Sequence, residues 1–402
     1  MKTITTTEAL AEFCTRAAEC PYVTVDTEFL RERSYYSKLC LVQLAIPGGD
    51  RADSGGADDA VLVDPLSETL SLEPLYALFR NENVVKVFHA ARQDLEIFYI
   101  DAGLIPHPLF DTQVAAMVCG YGDQVGYETL VRRIGKAQLD KSSRFTDWSR
   151  RPLSEAQKQY ALGDVTHLRG IYEVLSAELA ETGRGAWVEE ELAVLADPET
   201  YRVDPAEAWL RIKTRSTSGR FLAVVRELAR FREAHAQSRN IPRNRVMKDD
   251  ALLELASTRP ASIQDLGRSR LLLREARRGE IAEGILAAVK AGAETAPEDM
   301  PKLPANGREK LQVNPALADL LRVLLKTRSE QQKVAQKLIA SAADLDLIAA
   351  GRRDVPALSG WRREVFGEDA LKLCDGKVAL AAKGQRVRVI ELQGRGSVGA
   401  RA

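Results

Sequence analysis

The spacing of the apolar residues changes along this chain, and this change constrains the fold more than any other feature. Up to Phe88, short runs rich in Val, Ile, Leu and Phe are bounded by turn residues, a pattern typical of strands. These runs lie around Val23–Phe29, Leu39–Ile46, Val61–Val63 and Val84–Phe88. After Phe88 the apolar residues take helical spacing, as in Leu95, Phe98 and Tyr99. Strands followed by helical segments predict an α/β architecture in which helices cover a mixed sheet.

From about residue 205 the pattern is helical almost throughout, and we expect no strand before Val387–Leu392. One apolar stripe runs at helical spacing from Phe221 to Phe231, and a second helical unit starts near Asn314. Between them, Gly292–Pro304 contains three prolines and few apolar residues, so it cannot continue a helix. Apart from that carboxyl-terminal strand, the second half of the chain is therefore predicted to be all-α.

These changes of pattern predict where the domains begin and end. The chain has 402 residues, more than one typical domain, and its 45% hydrophobic content is enough to build real cores. We expect an α/β domain, a helical domain, a linker, a second helical domain and a disordered tail. Their predicted ranges are residues 1–200, 205–292, 293–306, 307–393 and 394–402.

Composition argues against several classes of protein. No apolar run reaches the roughly 18 residues of a membrane span, and the amino terminus MKTITTTEALAEF has no signal-peptide core. We therefore expect a soluble, cytoplasmic protein without a membrane partner. The five cysteines form no C-x-x-C pair, which argues against a disulfide framework or a zinc site.

Formal charge is distributed unevenly, although the net charge is zero. Residues 1–200 hold 19 Lys and Arg against 32 Asp and Glu, and residues 201–402 hold 38 against 25, so the two halves carry −13 and +13. An acidic half is expected around a metal site, and a basic half is the usual mark of polyanion binding. The alternative is two ordinary domains that differ in isoelectric point.

Four acidic residues and a tyrosine occupy positions where the predicted elements would bring them together. In VTVDTEF, Asp26 and Glu28 alternate with apolar residues, so a strand projects both carboxylates from one face. Asp94 follows the strand that ends at Phe88, at the opening of the next helix. Tyr160 and Asp164 are four residues apart on a helix that a capping box at Ser154 should begin, so they share a face.

Convergence of these carboxylates would leave several negative charges close together, and divalent cations would neutralise them. Two metal ions suit phosphoryl transfer to water, because one can activate the water while the other stabilises the leaving oxygen. A tyrosine hydroxyl has an ordinary pKa near 10, so Tyr160 would orient the water rather than accept its proton. The alternative takes the residues singly: Asp26 and Glu28 as a solvated strand face, Asp94 as a helix cap and Tyr160 as a core residue.

Three segments, VDTEF, HAARQDLEIF and YALGDVTHL, together resemble the exonuclease motifs of the DEDD superfamily. The tyrosine four residues before the last aspartate is the mark of its DEDDy branch. Leu41-Val-Gln-Leu44 and Phe110-Asp-Thr-Gln113 add to the similarity to the bacterial ribonuclease D family. The resemblance covers the whole chain, because residues about 207–290 and about 312–385 resemble the two HRDC domains of that family. The resemblance implies an RNase H-like mixed-sheet exonuclease domain followed by two helical HRDC-like domains.

The resemblance also implies an activity. Asp26, Glu28, Asp94 and Asp164 fall on the acids that hold two Mg²⁺ or Mn²⁺ ions, and Tyr160 falls on the tyrosine that orients water. Such an enzyme removes nucleotides from RNA 3′ ends and releases nucleoside 5′-monophosphates. Its expected substrates are tRNA precursors and other structured RNA with 3′ trailers, and no obligate protein partner is expected.

Other residues are weaker candidates for binding RNA. His89 could contact the terminal nucleotide or make a structural hydrogen bond, and Phe29 and Leu30 could wedge against the terminal base or pack in the core. Arg243 and Arg245 lie in a predicted basic loop that could bind phosphates or pack against the acidic half.

Two other functions remain open from the sequence. The same site could act on DNA 3′ ends, because no motif reports recognition of the 2′-hydroxyl. The fold could instead be an inactive RNA-binding scaffold, although the retention of all four acids and the tyrosine argues against it.

Overall fold

The structure is a computed structural model that describes residues 2–48, 59–139, 146–303 and 312–392. The predicted tail at 394–402 lies outside these residues, as do residues 304–306 of the predicted linker. The first part of the chain forms a six-stranded mixed sheet with strand order β1-β4-β3-β2-β5-β6. Its strands are β1 Lys2–Ile4, β2 Tyr22–Leu30, β3 Lys38–Ala45, β4 Ala60–Val63, β5 Val85–Phe88 and β6 Leu109–Asp111.

Strand β2 lies near the centre of the sheet, antiparallel to β3 and parallel to β5. The predicted mixed sheet is confirmed, but β1 and β6 were not predicted. Each of these two strands has only three residues, too few for an alternating pattern to be recognised.

Helices cover both faces of this sheet. They are α1 Thr7–Ala17, α2 Glu73–Arg80, α3 Arg92–Ala102, α4 Thr112–Val118, α5 Tyr127–Arg133, α6 Glu155–Thr182 and α7 Gly185–Ala196. Val23 and Val25 of β2 face a core that includes Phe13 of α1, Phe79 of α2 and Phe98 of α3. On the opposite face, α6 packs across β2, β3 and β4. Alternation along β2 therefore directs its polar positions toward α6.

The second part of the chain is helical, as predicted. Its helices are α8 Gly219–Ser238, α9 Arg243–Val246, α10 Asp249–Thr258, α11 Ile263–Leu266 and α12 Gly279–Ala293. They enclose their own buried cluster, in which Leu228 of α8 meets Leu252 of α10 and Ile285 of α12.

The third part combines helices with one hairpin and has its own core around Leu324 and Phe366. Its helices are α13 Pro315–Gln332, α14 Gln336–Ile339, α15 Ala342–Ala349, α16 Gly360–Arg362 and α17 Glu368–Cys374. The strands β7 Val378–Lys383 and β8 Arg386–Glu391 pair antiparallel. The expectation of a strand at Val387–Leu392 agrees with β8, but β7 was missed because VALAAK is rich in alanine, which has low strand propensity.

Candidate active site

Two carboxylates of the candidate site come from β2. Asp26 is paired with Gln43 and Glu28 with Leu41 on β3, and a bulge follows between Glu28 and Phe29. Thr24, on the same face, places its hydroxyl 2.9 Å from the carbonyl oxygen of Val165 in α6. This contact joins the acidic face of β2 to the helix above it.

The third carboxylate comes from α6, which begins at the predicted capping box. The backbone N–H of Gln157 donates to Ser154 Oγ at 3.2 Å, and the Ser154 N–H donates to Gln157 Oε1 at 3.0 Å. One carboxylate oxygen each from Asp26, Glu28 and Asp164 lie within 4.8 Å of one another. The predicted convergence of strand and helix is therefore present in the structure.

Asp94 lies beside this group but is not one of its three members. It is buried in the first turn of α3, and the Thr27 hydroxyl donates a hydrogen bond to its carboxylate. The start of α3 is held by Asp111, which accepts hydrogen bonds from the N–H groups of Ala90 at 3.1 Å and Ala91 at 2.8 Å. Asp111 also caps α4, the role that its place before Thr112 indicates.

Burial and mutual repulsion disfavour the charged forms of these acids. Burial, followed by the charges of Asp164, Asp94 and Glu28, raises the pKa of Asp26 well above its ordinary value. Burial also raises the pKa of Asp94 to about 7, although its hydrogen bond from Thr27 acts in the opposite direction. A divalent cation would offset this repulsion, and a donor set made only of carboxylate oxygens suits Mg²⁺ or Mn²⁺.

A cavity of about 290 Å³ opens over the acidic group, lined by Asp26, Asp164, Tyr160, His89 and Tyr127 among others. His89 Nδ1 lies 3.0 Å from Thr112 Oγ1, and burial lowers the pKa of His89, which favours the neutral ring. A neutral imidazole can donate or accept a hydrogen bond at the cavity wall.

The sequence reasoning missed Tyr127, which lines the same cavity. Its hydroxyl donates to the carbonyl oxygen of Gly163 at 3.0 Å, one residue before Asp164. Burial and the charges of Asp164 and Asp26 raise the pKa of Tyr127 well above its ordinary value, so the hydroxyl keeps its proton. Nothing in the sequence around Tyr127 indicated a site residue, because α5 carries none of the acidic motifs.

Gln43 belongs to the Leu41-Val-Gln-Leu44 segment, but nothing in the sequence indicated that it borders the site. It is fully buried directly opposite Asp26, and its amide atoms have no hydrogen-bond partner within the part of the chain that the structure describes. A buried amide without a hydrogen-bond partner lowers the unfolding free energy by about 1–3 kcal/mol. Packing alone therefore does not explain why a glutamine lies beside the acidic group.

The weaker RNA-binding candidates lie in different surroundings. Phe29 is partly buried against the core on the α1 side of the sheet, and Leu30 packs beside Trp148 on the α6 side. Arg245 is exposed on α9. Arg243 forms hydrogen bonds of 2.5 and 2.6 Å to Glu233.

Arg243 therefore takes part in a junction between the first two parts of the chain. Its guanidinium donates to the hydroxyl of Tyr35 at 2.9 Å, and that hydroxyl also donates to Glu233. Asn240 Oδ1 accepts hydrogen bonds from the N–H groups of Tyr35 at 3.1 Å and Tyr36 at 3.0 Å. The intramolecular alternative considered for the basic loop applies to Arg243 in this structure.

Comparison with known proteins agrees with this arrangement. Residues 1–180 match the family described as 3′-5′ exonuclease, and residues 221–289 match the HRDC domain. Ribonuclease D of Jannaschia sp. (strain CCS1) is 66% identical over 97% of this chain and 99% of the relative. Ribonuclease D of Nitrobacter hamburgensis is 50% identical, with coverage of 97% and 99% respectively.

A solved structure is similar over almost the same extent. The crystal structure of Escherichia coli RNase D, described as an exoribonuclease involved in structured RNA processing, aligns with a TM-score of 0.79. It is 29% identical, and the alignment covers 93% of this chain and 98% of that one. Among the described residues, no helix is long and apolar enough to cross a membrane. Sequence and fold together show that the chain belongs to the ribonuclease D family of 3′-5′ exoribonucleases.

Proposed function

We propose that this exoribonuclease hydrolyses the terminal phosphodiester of RNA with two divalent metal ions and releases nucleoside 5′-monophosphates. Asp26, Glu28, Asp94 and Asp164 are the proposed metal ligands, and Tyr160 is the proposed water-orienting residue. The observation that carries the proposal is the approach of the Asp26, Glu28 and Asp164 carboxylates to within 4.8 Å below an open cavity.

The protein's own contribution is to hold these groups in place. When bound, the metal ions would lower the pKa of a bound water and stabilise charge on the leaving oxygen. Thr27 holds the Asp94 carboxylate beside the other three acids, and Tyr127 fixes the backbone of α6 next to Asp164. Tyr160, one helical turn before Asp164, faces the cavity in which the terminal phosphate would lie.

RNA 3′ trailers of tRNA precursors and other stable RNAs are the substrates that the family resemblance suggests. His89 lines the cavity, which supports its proposed contact with the terminal nucleotide. Contacts of Phe29, Leu30 and Arg245 with RNA stay predictions, as does a cytoplasmic location. We also retain the predicted domain ranges as a proposal, which is supported by the presence of a large buried hydrophobic cluster in each of the three parts of the chain.

We expect Asp26→Ala and Asp164→Asn each to abolish Mg²⁺-dependent release of 5′-monophosphates from 3′-labelled RNA, because each removes a metal ligand. Glu181→Gln is the matched control, since Glu181 is an exposed acid near the other end of α6. Undiminished activity in either site variant would contradict the assignment.

The same assay distinguishes RNA from DNA. RNA and DNA oligonucleotides of one sequence, each with a free or a blocked 3′ end, should show hydrolysis only of RNA with a free end. Equal hydrolysis of the DNA would favour the alternative of a general 3′ exonuclease.

A further inference from the structure

Gln43 is a buried amide beside the acidic group. Its exposure is 0%, and neither its oxygen nor its nitrogen has a hydrogen-bond partner within the described residues. The strand register places Gln43 directly opposite Asp26. Directly opposed residues of antiparallel strands project to the same face, with Cβ atoms about 4.5–5.5 Å apart. The amide therefore borders the site rather than the general core.

The strand neighbours of Gln43 leave its amide without a partner in the described structure. Leu62 lies opposite it on β4, and Leu41 lies two residues away on the same face of β3. Both belong to an apolar cluster with Ala161 of α6. The nearby Thr24 hydroxyl already lies within hydrogen-bonding distance of two backbone carbonyls. The carboxylate of Asp26, and whatever that carboxylate binds, is the polar group directly across the strand from Gln43.

A buried amide without a partner destabilises the fold, and a leucine would suit these apolar neighbours better. Buried polar groups of this kind are usually explained by a water or ion, or by a functional role. Because the polar neighbour is a proposed metal ligand, the loaded site is where the amide would find its partner.

We propose that Gln43 is a positioning residue of the metal site, whose amide hydrogen-bonds the Asp26 carboxylate, directly or through one buried water, when a cation is bound. The amide N–H₂ donates to the carboxylate oxygen that does not face the cation, which fixes the orientation of Asp26. Gln43 acts only through Asp26 and does not contact RNA. This inference rests on the proposed metal site.

Outer partners of metal-binding carboxylates have measurable effects, and their loss typically weakens metal affinity by about 10–100-fold. The experiment compares full-length wild type with Gln43→Met and Gln43→Leu, which remove the amide with little change in volume. Leu44→Met is the matched control, since Leu44 is equally buried on the same strand but faces the opposite side. Mn²⁺ affinity is measured by titration calorimetry on metal-stripped protein, and Tm is measured in EDTA.

We expect both Gln43 variants to bind Mn²⁺ about 10–100-fold more weakly, with a Tm in EDTA equal to or above that of wild type. Excess Mn²⁺ should restore most of their exonuclease rate, because the ligands themselves remain. Leu44→Met should keep wild-type Mn²⁺ affinity.

An unchanged Mn²⁺ affinity, or a variant that fails to fold without metal, would overturn the inference and leave Gln43 a structural residue. Asp26→Asn separates this failure from failure of the proposed site. If wild type binds Mn²⁺ and Asp26→Asn does not, the proposed metal site is supported, whatever the Mn²⁺ affinity of the Gln43 variants. If wild type and Asp26→Asn bind Mn²⁺ equally, the site assignment fails, and the role of Gln43 fails with it.

Discussion

Buried charge on single residues affects both the site and the fold. Burial raises the pKa of Asp94 to about 7, so protons would compete with metal ions for this proposed ligand near neutral pH. Lys86 of β5 shows the opposite case, because burial lowers its pKa to about 8. Its ammonium is fully enclosed and donates to the carbonyl oxygens of Asn81 and His107, both at 2.5 Å. Lys86 thus joins the segments that enter β5 and β6.

Because of Lys86, the unfolding free energy of the protein should rise with pH in the alkaline range. Its pKa in the folded protein, about 8, lies below the ordinary value near 10.4, so between these values the unfolded chain binds more protons. The contribution of this pKa shift to the unfolding free energy is therefore fully present above about pH 10.4 and is lost as the pH falls through about 8. Relative to Lys86→Met, the unfolding free energy of wild type should rise by up to about 1.4 kcal/mol per unit from about pH 8 to 10. Urea unfolding measures this, and parallel pH profiles of the two proteins would contradict it.

Among the elements, α6 shares the candidate site with β2. It spans 28 residues, carries Tyr160 and Asp164, and ends at Gly183 in the left-handed conformation. Thr24 of β2 contacts it from the sheet, with its hydroxyl 2.9 Å from the Val165 carbonyl and 3.1 Å from that of Ala45. Because Val165 follows Asp164 directly, this contact helps to hold Asp164 near the acids of β2.

Thr24→Val, which removes the hydroxyl but keeps the shape, should lower the unfolding free energy by about 1 kcal/mol. It should also lower the exonuclease rate by at least about tenfold, because a shift of α6 displaces Asp164 from the strand acids. Ser154→Ala is the control, since loss of the cap costs about the same stability without touching the sheet. Chemical unfolding and single-turnover cleavage test the pair. Equal rates in the two variants would show that Thr24 does not position the helix.

Across the whole molecule, charged residues join the three parts of the chain. Arg362, in the third part, pairs with Glu190 of α7 at 2.9 Å and also with Glu191. Trp361 stacks on Trp187 with ring centroids 4.7 Å apart. The pairs of Arg362 use part of the opposite charge of the two halves to hold the molecule together, whereas the Arg243 junction joins two parts of the chain through the neutral hydroxyl of Tyr35. Arg245, by contrast, is exposed on α9, and its contact with RNA stays a prediction.

Arg243 and Arg245 should therefore differ when each is replaced by methionine. Arg243→Met leaves the carboxylate of Glu233 buried without its cation. It should cost about 2–3 kcal/mol, less than a fully buried pair because the arginine is 41% exposed. Arg245→Met should change the unfolding free energy by less than about 0.5 kcal/mol. It should reduce the slope of log RNA affinity against log salt concentration by about 0.7 for each phosphate that the variant no longer neutralises.

Chemical unfolding and RNA binding at several salt concentrations measure these effects. A reduced salt slope in Arg243→Met without loss of stability would instead make Arg243 an RNA contact. An unchanged slope in Arg245→Met would remove that residue from the interface.

Local pattern in the sequence was enough to determine much of this protein. The longer strands, the capping box of α6 and the shared face of Tyr160 and Asp164 follow from periodicities that act over a few residues. Asp26 and Glu28 could be placed on one strand face for the same reason. The motif order then led to the family, which the comparisons confirm.

Tertiary structure decided which distant residues became neighbours. Strand register placed Gln43 opposite Asp26, and the packing of α5 brought Tyr127 to Gly163; no local pattern specifies either. The domain junction likewise turned Arg243 toward Glu233 and Tyr35, although its sequence surroundings resemble those of exposed Arg245. Periodicity fixes the face on which a side chain lies, whereas its partner depends on how separate elements pack, and that is a property of the whole fold.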